Sequence, residues 1–238
     1  MILELERLSR AFGSVKVADG IDLAVAEGTA LGIIGPNGAG KTSLFNLIAG
    51  ALRPDRGAIR LDGRDITRAS TQARARAGIA RSYQIPQPFV NLTVFENLLV
   101  AATFAGRRPE GAIVDACGDI LADTGLLPLA NRRAGTLTLL ERKRLELARA
   151  LATAPRLLLL DEIGGGLTEA ETHMLVETIS RIKAAGVTIV WIEHIVHALL
   201  AVVDRLLVLN FGRKIAEGEP RAVMASAEVR EIYMGIAA

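Results

Sequence analysis

The chain has 238 residues, of which 50% are hydrophobic and only 4% aromatic, with a mean hydropathy of +0.34 and a formal net charge of +2. The near-neutral balance provides no field for a general nucleic-acid partner. The single cysteine, Cys117, excludes a disulfide scaffold and a cysteine-built zinc site, and fits a reducing compartment. A core of Leu, Ile, Val and Ala without aromatics is what helices packed on a parallel sheet require.

The N-terminus, Met1 to Glu6, alternates apolar and acidic residues with strand period, unlike a secretory leader. A second strand-like stretch runs from Gly20 to Val25. Apolar runs such as Val187 to Ile192 and Ala198 to Val203 fall far short of the roughly 20 residues of a membrane-spanning helix. Thr29 to Ile34 reads as a buried strand stopped by Gly35-Pro36-Asn37-Gly38, and Lys41 to Ala49 as a helix closed by Gly50.

Gly35-Pro36-Asn37-Gly38-Ala39-Gly40-Lys41-Thr42 fits the phosphate-loop pattern G-x-x-x-x-G-K-[ST]. Its glycines let successive backbone N–H groups turn toward phosphate oxygens, and the following helix adds its positive dipole end. Lys41 is placed to reach the β- and γ-phosphates of a nucleotide, and the Thr42 hydroxyl to ligate Mg²⁺. The motif alone does not choose among kinases, GTPases and ATPase motors.

From about Ile85 to Leu151 the character changes, with helical patterns at Thr93 to Phe104, Gly111 to Thr124 and Thr138 to Ala152. This stretch reads as an inserted helical subdomain. Strands return with Leu157-Leu158-Leu159-Leu160, which ends in Asp161-Glu162. Asp161 suits the Mg²⁺ shell, and Glu162 a general base that polarises the attacking water, a pairing that favours hydrolysis over transfer to a second substrate. Further strands are expected at Val187 to Ile192 and Arg205 to Leu209. Strands alternating with helices predict an α/β fold.

With the phosphate loop and the acidic strand in place, the whole chain resembles the ATP-binding subunits of ABC transporters. The resemblance implies a P-loop NTPase with a RecA-like core, an N-terminal antiparallel β part and the inserted helical subdomain. The core and β part would occupy about 1–84 and 152–238, and the insert about 85–151. It implies ATP and Mg²⁺ as ligands, with the nucleotide site extending to Ser43. Phe12, in Arg10-Ala11-Phe12-Gly13, matches the aromatic that stacks on adenine, although a lone phenylalanine is more often core. Gln84, in Arg81-Ser82-Tyr83-Gln84, matches the glutamine that touches Mg²⁺ or the attacking water and senses the membrane partner. His194, after Trp191-Ile192-Glu193, matches the histidine that contacts the γ-phosphate. His173 and His197 match nothing and read as surface or packing residues, and Trp191 as core.

Two motifs depart from the family. Where its signature reads L-S-G-G-Q, this chain has Leu137-Thr138-Leu139-Leu140-Glu141. Thr138 and Glu141 form a capping box, so a helix start facing an anion across a dimer survives while Leu139 and Leu140 add bulk. The run Arg142-Lys143-Arg144 reads as a solvated helix face. After Glu162, Ile163-Gly164-Gly165-Gly166-Leu167-Thr168 replaces the family's usual proline and terminal aspartate, and Thr168 with Glu171 forms a second capping box.

Leu92 to Ala101, Leu145 to Leu151 and the ending Ile232-Tyr233-Met234-Gly235 further resemble the ATPases of branched-chain amino acid uptake. That resemblance implies a bacterial importer: a second ATP-binding chain, two integral membrane permeases, a periplasmic solute-binding protein and a place on the cytoplasmic face of the inner membrane. A nucleotide-dependent dimerising regulatory module, an exporter ATPase and a P-loop kinase are the alternatives. The kinase lacks a recognisable acceptor pocket and basic lid.

Overall fold

The computed structural model describes residues 1–234; Gly235, part of the ending singled out above, lies outside them. In chain order the strands are β1 (Leu3–Phe12), β2 (Val15–Val25), β3 (Ala30–Ile34), β4 (Arg56–Leu61), β5 (Arg64–Asp65), β6 (Ile79–Arg81), β7 (Leu157–Asp161), β8 (Thr188–Ile192), β9 (Arg205–Asn210) and β10 (Arg213–Gly218). The helices are α1 (Lys41–Ala49), α2 (Thr71–Ala77), α3 (Val94–Ala105), α4 (Ile113–Asp123), α5 (Leu139–Ala152), α6 (Glu169–Ala184), α7 (Val196–Leu200), α8 (Pro220–Ala225) and α9 (Ala227–Met234).

Two sheets form. One is antiparallel, in the order β2-β1-β4-β5; the other runs β10-β9-β3-β8-β7-β6, parallel except for β10 at its edge. Period-two geometry sorts the parallel strands' side chains between two apolar clusters. Leu158 and Leu160 of β7 face one side with Ile189 and Trp191 of β8. Leu157 and Leu159 face the other with Val190 and Ile192. The first side is covered by α3, α4, α5 and α6, the second by α1 and the antiparallel sheet. Every residue of β3, β7 and β8 is buried, which is why these strands read as unbroken apolar runs. Each fully buried Leu or Ile contributes about 1.5–3 kcal/mol.

The middle helices start where local chemistry starts them. Thr93 and Thr138 each accept from the N–H three residues on, while Glu96 and Glu141 answer the cap backbone. Thr168 and Glu171 do the same for α6. Sequence pattern missed α2, the three-residue β6 and the edge strand β10, and placed the start of β2 five residues late.

Parallel alignment brings four strand ends together: Ile34 of β3, Arg81 of β6, Asp161 of β7 and Ile192 of β8. Since β8 lies between β3 and β7, the phosphate loop and the acidic pair flank the segment that carries Glu193 and His194. Ligands of open α/β sheets bind at this carboxyl edge.

Candidate active site

The phosphate loop is fixed by its own backbone. A Cβ on Gly35 would overlap the Leu209 carbonyl oxygen, and Gly40 caps α1 in the left-handed region at φ +100°. The Gly212 N–H donates to the Ala39 carbonyl at 2.9 Å, bracing the loop with the β9–β10 turn. The Lys41 ammonium is buried and donates to the carbonyls of Gly35 (2.7 Å) and Pro36 (3.1 Å). Burial pulls its pKa down, and the charges of Glu162 and Asp161 oppose that. Thr42 and Ser43 follow in the first turn of α1, whose N–H groups lack intrahelical acceptors. No acidic side chain occupies that turn, so it is suited to an external anion.

Glu162 follows β7 with φ +48°, a conformation costing a non-glycine residue about 1–3 kcal/mol. Its N–H is held by the Ile192 carbonyl at 2.9 Å. Gln84 Nε2 donates to Glu162 Oε2 at 2.7 Å, and His194 Nε2 lies 2.6 Å from Oε1. A carboxylate only accepts, so the facing His194 nitrogen carries the proton. Three residues that sequence had to place one by one thus meet around one carboxylate, at the ends of β6, β7 and β8.

Asp161 is buried beside them. Arg81 Nη2 bonds its Oδ2 at 2.6 Å, while Arg81 Nη1 bonds Asn46 Oδ1 of α1 at 2.6 Å. Phe12 stands half-exposed at the end of β1, 50% accessible, and is not core. Arg10 lies 4.8 Å above its ring and is held in turn by Asp55. Thr138 makes its hydrogen bonds within the α5 cap, Oγ accepting from Glu141 N at 3.3 Å. Leu139 beside it is partly exposed. Phe12 and Thr138 therefore stand outside the Gln84–Glu162–His194 cluster.

Sequence reasoning missed two buried groups under this cluster. Glu193 is 2% exposed, and its Oε2 has no hydrogen-bond partner among the described residues. Its Oε1 occupies the space that a Cβ on Gly164 would need. Burial, and next the charge of Glu162, push its carboxyl up to about 7, against the pull of Lys143 and the Gly164 N–H. Lys143, 4% exposed, is lowered by burial and raised by Glu193 and Glu162. The run Arg142-Lys143-Arg144 is therefore not the solvated face its composition suggested. Lys143 is buried, and Arg142 turns back to the carbonyls of Leu137 (2.9 Å) and Gly135 (3.1 Å). The carboxylate that ends the apolar run Trp191-Ile192-Glu193 was the available signal for Glu193.

A carboxyl raised by folding stabilises the native state only while it holds its proton. The contribution is complete below about pH 4.5 and is lost as pH rises through about 7. Glu193→Gln should therefore raise stability by about 2–3 kcal/mol at pH 8.5 and by under about 1 kcal/mol at pH 5. Melting curves of both chains at the two pH values check this; an equal gain at both would assign it to packing alone.

Among the described residues no group of three or more His, Cys, Asp or Glu side chains forms a cage for a metal. Oxygen donors at the site, the Thr42 hydroxyl and the Asp161 carboxylate among them, suit Mg²⁺, which is held by one or two protein oxygens together with substrate phosphates.

The family profile described as "ABC transporter" matches residues 18–164. The high-affinity branched-chain amino acid transport ATP-binding protein BraF of Pseudomonas aeruginosa is 36% identical over 98% of both chains. The probable branched-chain amino acid transport ATP-binding protein LivG of Methanocaldococcus jannaschii is 35% identical over 98% of this chain and 97% of its own. A nucleotide-free ATP-binding cassette from an ABC transporter superposes with a TM-score of 0.89 at 34% identity, covering 100% of this chain and 99% of that one. The ADP conformation of an ABC transporter cassette matches equally well, at 0.89 and 34% over 99% of each. The resemblance read from the motifs and the α/β architecture agree with these matches, and the chain belongs to the ABC transporter family as an ATP-binding cassette ATPase.

Proposed function

We propose that the chain hydrolyses ATP to drive an importer of branched-chain amino acids or a similar small solute. The observation that carries hydrolysis is the convergence of Gln84 and His194 on Glu162, at 2.7 and 2.6 Å. In this reading the phosphate-loop N–H groups and Lys41 hold the β- and γ-phosphates, with Gly35, Pro36, Asn37, Gly38, Ala39, Gly40 and Ser43 shaping the cradle. Thr42, Asp161 and Gln84 hold Mg²⁺, which supplies charge neutralisation at the transferred phosphoryl group when bound. Glu162 takes the proton of the attacking water once that water displaces one of its two donors, and His194 and Gln84 fix its orientation. Phe12 stacks on adenine, a contact of about 1–3 kcal/mol for base–aromatic pairs.

The solute class comes from the relatives, whose names specify branched-chain amino acids. The partners follow from the same membership: a second ATP-binding chain, whose nucleotide faces Thr138, and two permeases fed by a periplasmic solute-binding protein. By the same membership the transport path lies in those partners and this chain sits on the cytoplasmic face of the inner membrane; no helix among the described residues is long and apolar enough to cross a membrane. Residues 85–151 serve as the helical subdomain. A groove of about 230 Å³ lies between it and the core, lined by Arg81, Tyr83, Ala101, Glu146 and Arg149. Tyr83 in its wall and, next in sequence, Ile85, Phe89 and Val90 are exposed, apolar surface suited to a permease segment.

Reconstitution of the chain with its permeases in vesicles tests the reading. Labelled leucine should accumulate only with Mg-ATP. Binding of Mg-ATP without turnover, permeases included, would make the chain a regulatory module. Coupled turnover without leucine uptake would move the solute elsewhere.

A further inference from the structure

Arg81 is a firmly held cation, its side chain largely buried beside the site, that the proposed chemistry leaves unused. It ends β6, and the parallel register sets it opposite Leu159, two residues before Asp161. Its guanidinium bonds the Asp161 carboxylate and the Asn46 amide of α1, each at 2.6 Å. The Phe45 ring lies 5.6 Å from it and the Tyr83 ring 5.1 Å. A planar guanidinium with two hydrogen bonds and two aromatic neighbours has a fixed place. One end of this assembly is the buried carboxylate at the phosphate loop. The other is Tyr83, 52% exposed, in the wall of the groove that Arg81 also lines.

We propose that Arg81 is a positioning residue that orients Asp161 for a divalent cation and makes that cation's affinity depend on Tyr83 in the groove. The proposal rests on the reading of Asp161 as a metal-site carboxylate. Mg²⁺ and Mn²⁺ sites demand well-placed oxygens, so a carboxylate freed to rotate holds the ion poorly. Asn46 ties the same guanidinium to the phosphate-loop helix, so carboxylate and loop keep their relative position. A body pressing on Tyr83 moves the guanidinium, and with it Asp161. By linkage, the cation then biases Tyr83 as well.

The test uses the full chain with ADP and Mn²⁺ as probe, following free aqueous Mn²⁺ by its electron paramagnetic resonance signal. ADP affinity in EDTA is measured alongside by calorimetry. Arg81→Met should weaken Mn²⁺ binding at least tenfold while ADP affinity in EDTA changes less than about threefold. Arg81→Lys, which keeps the charge but loses the planar fork that spans Asp161 and Asn46, should lose less. Tyr83→Ala should weaken Mn²⁺ about three- to fivefold in the native background and not at all on top of Arg81→Met, since coupled positions are not additive. Unchanged Mn²⁺ affinity in Arg81→Met, or a Tyr83→Ala effect that persists in its background, overturns the proposal. If Arg81→Met loses its cooperative melt, Arg81→Lys and Asn46→Ala replace it, and unchanged Mn²⁺ affinity in both overturns the proposal. Asp161→Asn separates the two levels. If it spares Mn²⁺ binding, the metal-site reading fails; if it abolishes binding while Arg81→Met does not, only the role of Arg81 fails.

Discussion

Glu162→Gln should lower kcat for ATP about 10²–10⁴-fold while leaving Mg-ATP binding within a few-fold of native. The substitution keeps the shape that fits the left-handed backbone at the end of β7 and removes the carboxylate's basicity. Neither neighbour replaces it as base: Gln84 is an amide, and the His194 nitrogen facing Glu162 is occupied as a donor. ATP should therefore persist on the variant, visible as unhydrolysed nucleotide after single-turnover mixing. His194→Ala should cost less, because it removes an orienting donor and leaves the base. Hydrolysis by Glu162→Gln at the native rate would remove Glu162 from the chemistry.

The same carboxylate shows how far sequence alone reached. The phosphate loop, the acidic strand end and the capped helices are local patterns, written within a dozen residues each, and all three reappear as geometry. Gln84 and His194 have no local signature, and only their match to a family placed them. Arg81 has no role legible in sequence because its partners, Asp161 and Asn46, lie 80 and 35 residues away. They meet only when a three-residue strand joins the sheet, and so short a strand carries no periodicity. Glu193 and Lys143 failed for the opposite reason. Charged residues are taken as solvated, and these two are buried by α5 packing on the loop after β7.

That loop also explains how the departures from the family coexist with an intact cluster. Leu139, where the signature has glycine, sits within 3.3 Å of where a Cβ on Gly166 would be, and Glu193 fills the place of one on Gly164. The bulk of Leu139 at the helix start faces Gly166, which has no side chain to meet it. At this one contact the altered signature and the altered loop fit each other.

Gly40→Ala should be the most damaging single change to nucleotide binding. Two costs add at this position. At φ +100° any side chain is strained, which alone costs about 1–3 kcal/mol. The new Cβ would also overlap the carbonyl oxygen of Val17, a backbone atom of β2 that cannot rotate aside as a flexible side chain would. The loop or the hairpin must move. The hairpin also carries Phe12, and the loop precedes Lys41, so relief at either side displaces a proposed nucleotide contact. Gly38→Ala is the control. Its φ of +81° strains a side chain too, but a Cβ there meets open space. Calorimetric titration with Mg-ATP should show at least a hundredfold loss for Gly40→Ala and about tenfold or less for Gly38→Ala. Melting curves should place Gly40→Ala about 2–4 kcal/mol below native. Equal losses in the two variants would mean that backbone strain alone, and not the packing of the loop on β2, sets the cost.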